Sequence, residues 1–109
     1  MAGTIQIRAE GQAFLTASYT GTQATLNLDL GFIPVAARAV NVTDGDAGWT
    51  WFRGMDTAMC ISEGSALASV TSAGVTILDG SAGNGIGLTL GSNAIINETD
   101  KVYIVTFMR

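Results

Sequence analysis

Histidine is absent from the 109 residues of this chain, and cysteine, proline and lysine each occur once. Without histidine the chain lacks the side chain that most often exchanges protons near neutral pH, and Cys60 and Lys101 leave few nucleophiles. We therefore expect that the protein is not an enzyme and that it uses no metal ion and no cofactor. A single cysteine also excludes a disulfide within the chain.

Charge is scarce as well: charged residues make up 13% of the chain, against about 25% in typical soluble domains. The net charge of −4 argues against a nucleic-acid partner, because nucleic acid requires a basic surface. No apolar run approaches the roughly 20 residues that span a bilayer, so we expect no membrane segment. A small domain with so little charge exposes an apolar surface, and we infer that other subunits cover much of it. A homo-oligomer, in the form of a trimer, is the expected state.

Period-two alternation of apolar and polar residues, in a chain rich in Gly and Thr, predicts β-strands throughout. The clearest case is residues 24–30, where we expect one apolar face to be buried: Leu26, Leu28 and Leu30 point inward, and Thr25, Asn27 and Asp29 point outward. The predicted strands are residues 4–10, 14–20, 24–30, 35–43, 49–53, 57–62, 66–72, 75–78, 86–90 and 101–108. This pattern predicts one all-β domain over residues 1–109, a β-sandwich or jelly roll of about 8–10 short antiparallel strands.

Two short motifs and the lone thiol have structural explanations that we favour over chemical ones. Asp44-Gly45-Asp46 offers two carboxylates to a cation such as Ca²⁺, but Asp-Gly is also a strong signal for a tight turn. Residues 83–87, GNGIG, lack the Lys-Ser/Thr ending and the following helix of a phosphate-binding loop, so we predict a loop or a strand with bulges. Cys60 lies in an apolar strand, and we expect a buried free thiol.

The densest aromatic segment is the candidate contact site, formed by Trp49, Trp51, Phe52 and Arg53. Three interpretations are open: packing in the core or between subunits, contact with another protein, and stacking on the sugar rings of a glycan. We favour packing or protein contact. Arg53 then forms the polar end of the segment and is expected to pair with a carboxylate of a neighbouring chain.

Residues 31–55 resemble a pattern in small virion proteins of tailed bacteriophages. The segment starts with G-F-x-P, continues through an N-x-T-D-G-D turn and ends in W-x-W-F-x-G-M. A looser similarity continues to the end of the chain, so that about 79 residues are covered and the first thirty are not. The looser matches lie at residues 72–76, 78–80, 87–91, 96–97 and 103–109.

The resemblance implies a structural protein of the bacteriophage virion. Within that class we expect a capsid decoration (cement) protein, made in the cytoplasm of the bacterial host, that lies on the capsid surface. Its partner would be the major capsid protein, and its role would be to stabilise the head through many repeated contacts. Two alternatives stay open: a carbohydrate-binding, lectin-like module, and a structural component of the head fibre or tail.

Overall fold

A computed structural model of the protein describes residues 5–10, 13–45, 47–64 and 66–109, with side chains described from residue 13 onward. The strands are β1 (Ile5–Glu10), β2 (Phe14–Thr20), β3 (Leu26–Asp29), β4 (Ala36–Asn41), β5 (Gly48–Phe52), β6 (Met59–Glu63), β7 (Leu67–Asp79), β8 (Ile86–Leu90) and β9 (Val102–Met108). Within the described residues they form one antiparallel sheet in the order β1-β2-β9-β4-β5-β6-β7-β8-β3.

The predicted all-β class, with about 8–10 short antiparallel strands, is confirmed. The first predicted strand appears as β1; Thr4 and the side chains of β1 lie outside the described residues. One prediction is wrong: residues 66–72 and 75–78 are not two strands but parts of β7. The pairing of β6 with β7 jumps from Cys60↔Val70 to Met59↔Val75, so the intervening residues bulge out of the ladder and the chain continues instead of turning back.

A short connection forces the sheet to curl. β2 lies next to one edge of the sheet and β3 forms the opposite edge, seven strand-to-strand steps away. In a flat sheet that distance is about 34 Å. The chain covers it between Thr20 and Leu26, and six residues reach only about 20 Å. The sheet therefore bends round until its two sides face each other across a shared interior, as the layers of a sandwich do.

The interior is filled by alternate residues of nearly every strand, which the register arranges in rows. One row runs from Leu15 through Phe107 and Ala37 to Trp51. Small side chains on β4, among them Ala37, leave room for the indole rings of its neighbour β5. The largest fully buried side chains are Trp49, Trp51, Tyr19, Tyr103, Phe107, Leu15, Leu26, Leu28, Leu88, Leu90, Ile96 and Val75.

The segment between β8 and β9 closes one end of the curled sheet, and Asn97 anchors it. The buried Asn97 side chain donates to the carbonyl oxygens of Ala24 (2.6 Å) and Gly91 (2.9 Å) and accepts from the backbone N–H of Thr22 (2.8 Å). The backbone of Gln23 also donates to the Asn97 carbonyl, at 2.8 Å. One amide side chain thus joins the closing segment to the β2–β3 connection and satisfies their buried polar groups.

A second buried network runs across the interior. Trp49 Nε1 donates to the hydroxyl of Tyr19 at 2.8 Å, and that hydroxyl donates to the Ile96 carbonyl at 2.7 Å. The rings of Tyr19 and Tyr103 stack with their centroids 4.8 Å apart and their planes within 5°. Because Tyr19 and Trp49 lie on strands three steps apart, their contact holds the curl of the sheet from inside.

The inward leucines of β3 give a direct test of the register. Leu28 is fully buried, whereas Thr25 is exposed. We expect Leu28→Ala to lower the free energy of unfolding by about 2–5 kcal/mol, because it leaves a cavity. Thr25→Ala should lower it by well under about 1 kcal/mol. Urea denaturation measures both, and equal losses for the two variants would contradict the assigned faces.

The anchoring role of Asn97 predicts a large loss from a small truncation. Asn97→Ala removes three partly buried side-chain hydrogen bonds, so we expect a loss of about 2–3 kcal/mol. Asn84→Ala, in an exposed loop, is the matched control and should change stability by less than about 0.5 kcal/mol. Thermal and urea unfolding of the two variants makes the comparison. A mild effect at Asn97 would show that the closing segment is held by other contacts.

Candidate functional site

The outward side of β2, β9, β4, β5 and β6 forms a broad apolar surface, which we call the convex face. These five strands contain only two charged residues, Arg38 and Glu63. The register carries apolar side chains straight across the strands: Phe14 pairs with Met108, Met108 with Ala36, and Ala36 with Phe52. The apolar members on these strands are Phe14, Ala36, Val40, Phe52, Ile61, Val102, Ile104 and Met108, and the face is bordered by Val42, after β4, and Leu67, at the start of β7.

Several of these side chains are strongly exposed. Leu67 is 73% exposed, Phe14 53%, Phe52 51% and Val42 50%. Isolated exposed apolar residues are ordinary on protein surfaces, but a contiguous set on neighbouring strands marks a contact region. The convex face therefore has the composition of an interface core, rich in apolar side chains and poor in charge.

Two shallow grooves divide the convex face along β4. The first, which we call the β9 groove, is lined by Phe14, Val40, Val42, Ile104, Thr106 and Met108. The second, which we call the β5 groove, is lined by Ala36, Thr50, Phe52, Ile61, Glu63 and Leu67. Arg38 borders both grooves, and Met108 contributes to both as well.

The two charges of the convex face neutralise each other. Arg38 Nη2 donates to Glu63 Oε1 at 3.0 Å, and the Thr50 hydroxyl donates to Glu63 Oε2. Arg38 lies opposite Thr50 and Glu63 lies opposite Gly48, so the ion pair crosses β5 diagonally. The Arg38 side chain is 67% exposed, so the ion pair adds at most about 1 kcal/mol to stability. Its main consequence is a convex face without net charge.

The structure corrects half of the predicted contact site. Trp49 is fully buried and Trp51 is 2% exposed, and both pack in the core with their neighbours on β4 and β6. Neither indole is exposed enough to contact another protein, so the contact interpretation is wrong for these two residues. Packing in the core accounts for both of them. Stacking on a glycan requires an exposed tryptophan, and Trp49 and Trp51 are both buried.

The other two predicted residues are at the surface. Phe52 points outward on the convex face, and its contact with a partner stays a prediction. Arg53 is exposed, but its guanidinium donates to the backbone carbonyls of Pro34 (3.2 Å, from Nε) and Ile33. These bonds tie the loop before β4 to the end of β5. Pairing of Arg53 with a neighbouring chain's carboxylate is untested.

The turn predicted at Asp44-Gly45 is confirmed, and Asp46 lies outside the described residues. Gly45 has a φ of 72°, and the buried Asn41 side chain accepts from the backbone of Thr43 and Asp44. Asp44 also accepts from Lys101 at 3.2 Å. Residues 83–85 form part of the turn before β8. Among the described residues no three Cys, Asp or Glu side chains are grouped as metal ligands, and no helix there is long and apolar enough to cross a membrane.

The sequence-based predictions did not include most of the residues of the convex face, although the sequence contains a pattern that indicates them. β9 reads VYIVTFM, with apolar residues on both faces instead of the alternation of a strand with one wet side. The same holds for Val40 among the alanines of β4. Strands that are covered on both sides show this pattern, and the core of this chain covers only the inner side of β9 and β4.

Comparison with known proteins finds no family model, no curated protein and no solved structure that matches this chain.

Cys60 predicts how stability depends on alkaline pH. Burial raises the pKa of the Cys60 thiol to about 11, from an ordinary value of about 9. Between about pH 9 and pH 11, the thiol of the unfolded chain releases a proton that the thiol of the folded chain keeps. The free energy of unfolding should therefore fall as the pH rises, by up to about 1.4 kcal/mol per pH unit, and be unaffected by Cys60 below the window.

Denaturation at pH 8 to 11 measures this dependence, and Cys60→Ala is the control. In the Cys60→Ala variant, the free energy of unfolding should no longer fall with pH between about pH 9 and 10. At higher pH Tyr19 contributes to both proteins, because burial raises its pKa well above the usual value. An identical slope in the variant, or rapid labelling of the native thiol at pH 8.5, would contradict the assignment.

Proposed function

We propose that this protein is a structural subunit of the virion of a tailed bacteriophage, and more specifically a capsid decoration protein. The observation that carries the proposal is the convex face: a wide, apolar surface without net charge on the outside of a small sheet. Such a surface suits protein–protein contact, where buried area and shape supply the binding energy. The resemblance of residues 31–55 to phage virion proteins narrows the assembly to the virion.

A decoration protein needs contact area and rigidity. Each contact with the shell can be weak, since a bound oligomer engages several lattice sites at once and its overall affinity greatly exceeds that of one site. The rigidity is supported by the fold described above, in which the Asn97 bonds and the Tyr19–Trp49 network hold the sheet in one curvature. A rigid oligomer that bridges neighbouring capsid subunits resists the outward pressure of packaged DNA.

The proposal is tested by binding to capsids that lack the protein. Purified protein is mixed with expanded capsids of the phage that encodes it, and the capsids are sedimented. We expect saturable co-sedimentation and a higher temperature of capsid disruption, because bridging contacts must break before the shell opens. Unexpanded capsids serve as a control for lattice geometry.

Two outcomes would overturn the proposal. One is absence of the protein from the sedimented capsids together with recovery on tails. The other is a strong hit on a glycan array without retention on capsids, which would favour a lectin-like function.

A further inference from the structure

We propose that a cleft in the wall of the sheet binds a small neutral ligand that carries neighbouring hydroxyl groups, such as a single sugar residue. The cleft lies between the end of β5 and the end of β7, and we call it the β5–β7 cleft. Its volume of about 290 Å³ is close to the lower limit of about 300 Å³ for ligand pockets, so one small molecule fills it. The inference goes beyond the proposed function and does not rest on it.

The β5–β7 cleft exists because β6 is short. β6 lies between β5 and β7 and begins at Met59, which pairs with Val75. β7 continues from Val75 to Asp79, and in the described part of the chain no strand lies between these last residues and the end of β5. The loop after β5 occupies the space only in part. One side of the cleft is formed by three residues of this loop, Met55, Asp56 and Thr57.

The missing strand leaves backbone groups of β7 open to the β5–β7 cleft. Successive residues of an antiparallel strand direct their N–H and C=O groups to opposite sides. The Gly74 carbonyl accepts from Gly91 at 2.8 Å, on the side where β8 lies. In the regular register that follows, the N–H and C=O of Ile77 point to the other side, toward the cleft that Ile77 lines. The cleft therefore offers one backbone donor and one backbone acceptor.

Trp51 forms the floor of the cleft and supplies a second donor. The Nε1 of Trp49 donates to Tyr19, but among the described residues Trp51 Nε1 has no hydrogen-bond partner. Every side-chain nitrogen or oxygen that is shut off from solvent in those residues has a partner. The Trp51 N–H therefore reaches solvent although the side chain is only 2% exposed, and the cleft is an opening that Trp51 borders. A ligand that fills the cleft has to accept a hydrogen bond from this N–H, or it leaves the N–H buried and unpaired.

Two carboxylates at the mouth of the cleft supply acceptors. Asp56 and Asp79 both line the cleft and both are exposed. Asp79 accepts from the backbone N–H of Ser81 at 2.9 Å, and its hydrogen bonds with Ser81 lower the pKa of Asp79 below the ordinary value. Asp79 is therefore charged at neutral pH. A carboxylate has about four acceptor sites, so both side chains retain sites for a ligand.

This combination of donors and acceptors selects the class of ligand. A hydroxyl group accepts and donates at once, so it accepts from Trp51 and donates to Asp56. Ammonium and guanidinium groups only donate, and they leave the N–H groups of Trp51 and Ile77 without an acceptor. Phosphates and carboxylates only accept, and the negative charges of Asp56 and Asp79 repel them. A neutral ligand with several hydroxyl groups satisfies both kinds of group.

The site differs from a tryptophan platform for glycans. Trp51 offers the edge of its indole, through the N–H, so no exposed ring face is needed. Apolar contact with the C–H groups of a sugar ring comes instead from Met55 and Val75 on the two sides of the cleft. A free polyol and the terminal residue of a glycan share this chemistry.

Proton–nitrogen correlation NMR of the full chain tests the site directly, because the two indole N–H signals report on one tryptophan each. The probes are glycerol, glucose, galactose, mannose and rhamnose, and the methyl glycosides of the four sugars. We expect at least one probe to shift the Trp51 signal saturably, with a dissociation constant on the order of 1–10 mM, since so small a ligand makes few contacts. The Trp49 signal should stay in place, because its N–H is bonded to Tyr19.

Three results would overturn the inference. The first is the absence of a saturable Trp51 shift with every probe. The second is an equal shift of both indole signals, which is the effect of a changed solvent. The third is tighter binding of ethylguanidinium than of any hydroxylated probe. Binding of a methyl glycoside would identify the terminal residue of a glycan as the ligand, and binding of free sugars or glycerol alone would identify a free polyol; both results support the site.

A matched pair of variants links the shift to the cleft. Asp56→Asn removes a charged acceptor and should weaken binding at least about fivefold, because a charged acceptor makes the stronger hydrogen bond. Asp100→Asn makes the same change at an exposed residue outside the cleft, where the backbone φ of 65° is one that Asn tolerates, and it should bind as the wild type does. Thr57→Phe, at an exposed position, should fill the cleft and abolish the shift. Unchanged binding by Asp56→Asn and Thr57→Phe would overturn the inference.

The site and the decoration function fail separately. A protein that sediments with capsids but shows no saturable Trp51 shift would refute the site and leave the decoration function standing. A protein that shows the shift but does not sediment with capsids would refute the decoration function and leave the site standing.

Discussion

The short connection between β2 and β3 is the constraint on which the rest of this structure depends. It joins strands at opposite sides of the sheet with too few residues to cross a flat one, so the sheet has to curl. Curling creates an enclosed side that a small chain can fill and a convex side that it cannot cover. Asn97 and the Tyr19–Trp49 pair hold this geometry with buried hydrogen bonds, which leave little freedom in the angle between strands.

The convex face follows from the same geometry. A chain of this size has enough apolar side chains for one core, and the concave side uses the two tryptophans and the two tyrosines. The apolar residues on the outer side of β9, β4 and β5 therefore contribute nothing to the interior. They stabilise a larger assembly if another protein removes them from water, and the cost of leaving them exposed is a tendency to associate. The sparse charge of the chain and its exposed apolar face have the same physical basis.

Local alternation was enough to predict much of the fold. Leu26 and Leu28 lie inward and their polar neighbours outward, as a half-buried strand requires, and most strand positions agree to within a few residues. The bulge in β7 was missed because Ala73-Gly74 has the composition of a turn, and only pairing with β6 and β8 keeps the chain extended. The strand order could not be derived, since it depends on contacts between residues far apart in the sequence. The composition indicated that part of the surface is covered. Which residues form the convex face could not be predicted, because only the strand register places Phe14 and Phe52 in one row.

Cryo-electron microscopy of expanded capsids that carry the protein tests the central claim most directly. We expect copies on the outer surface of the shell, with the convex face of each copy covered by neighbouring protein. Phe14 and Phe52 would then be buried in that contact. Single copies whose convex face is open to solvent, or density on the tail with none on the head, would contradict it.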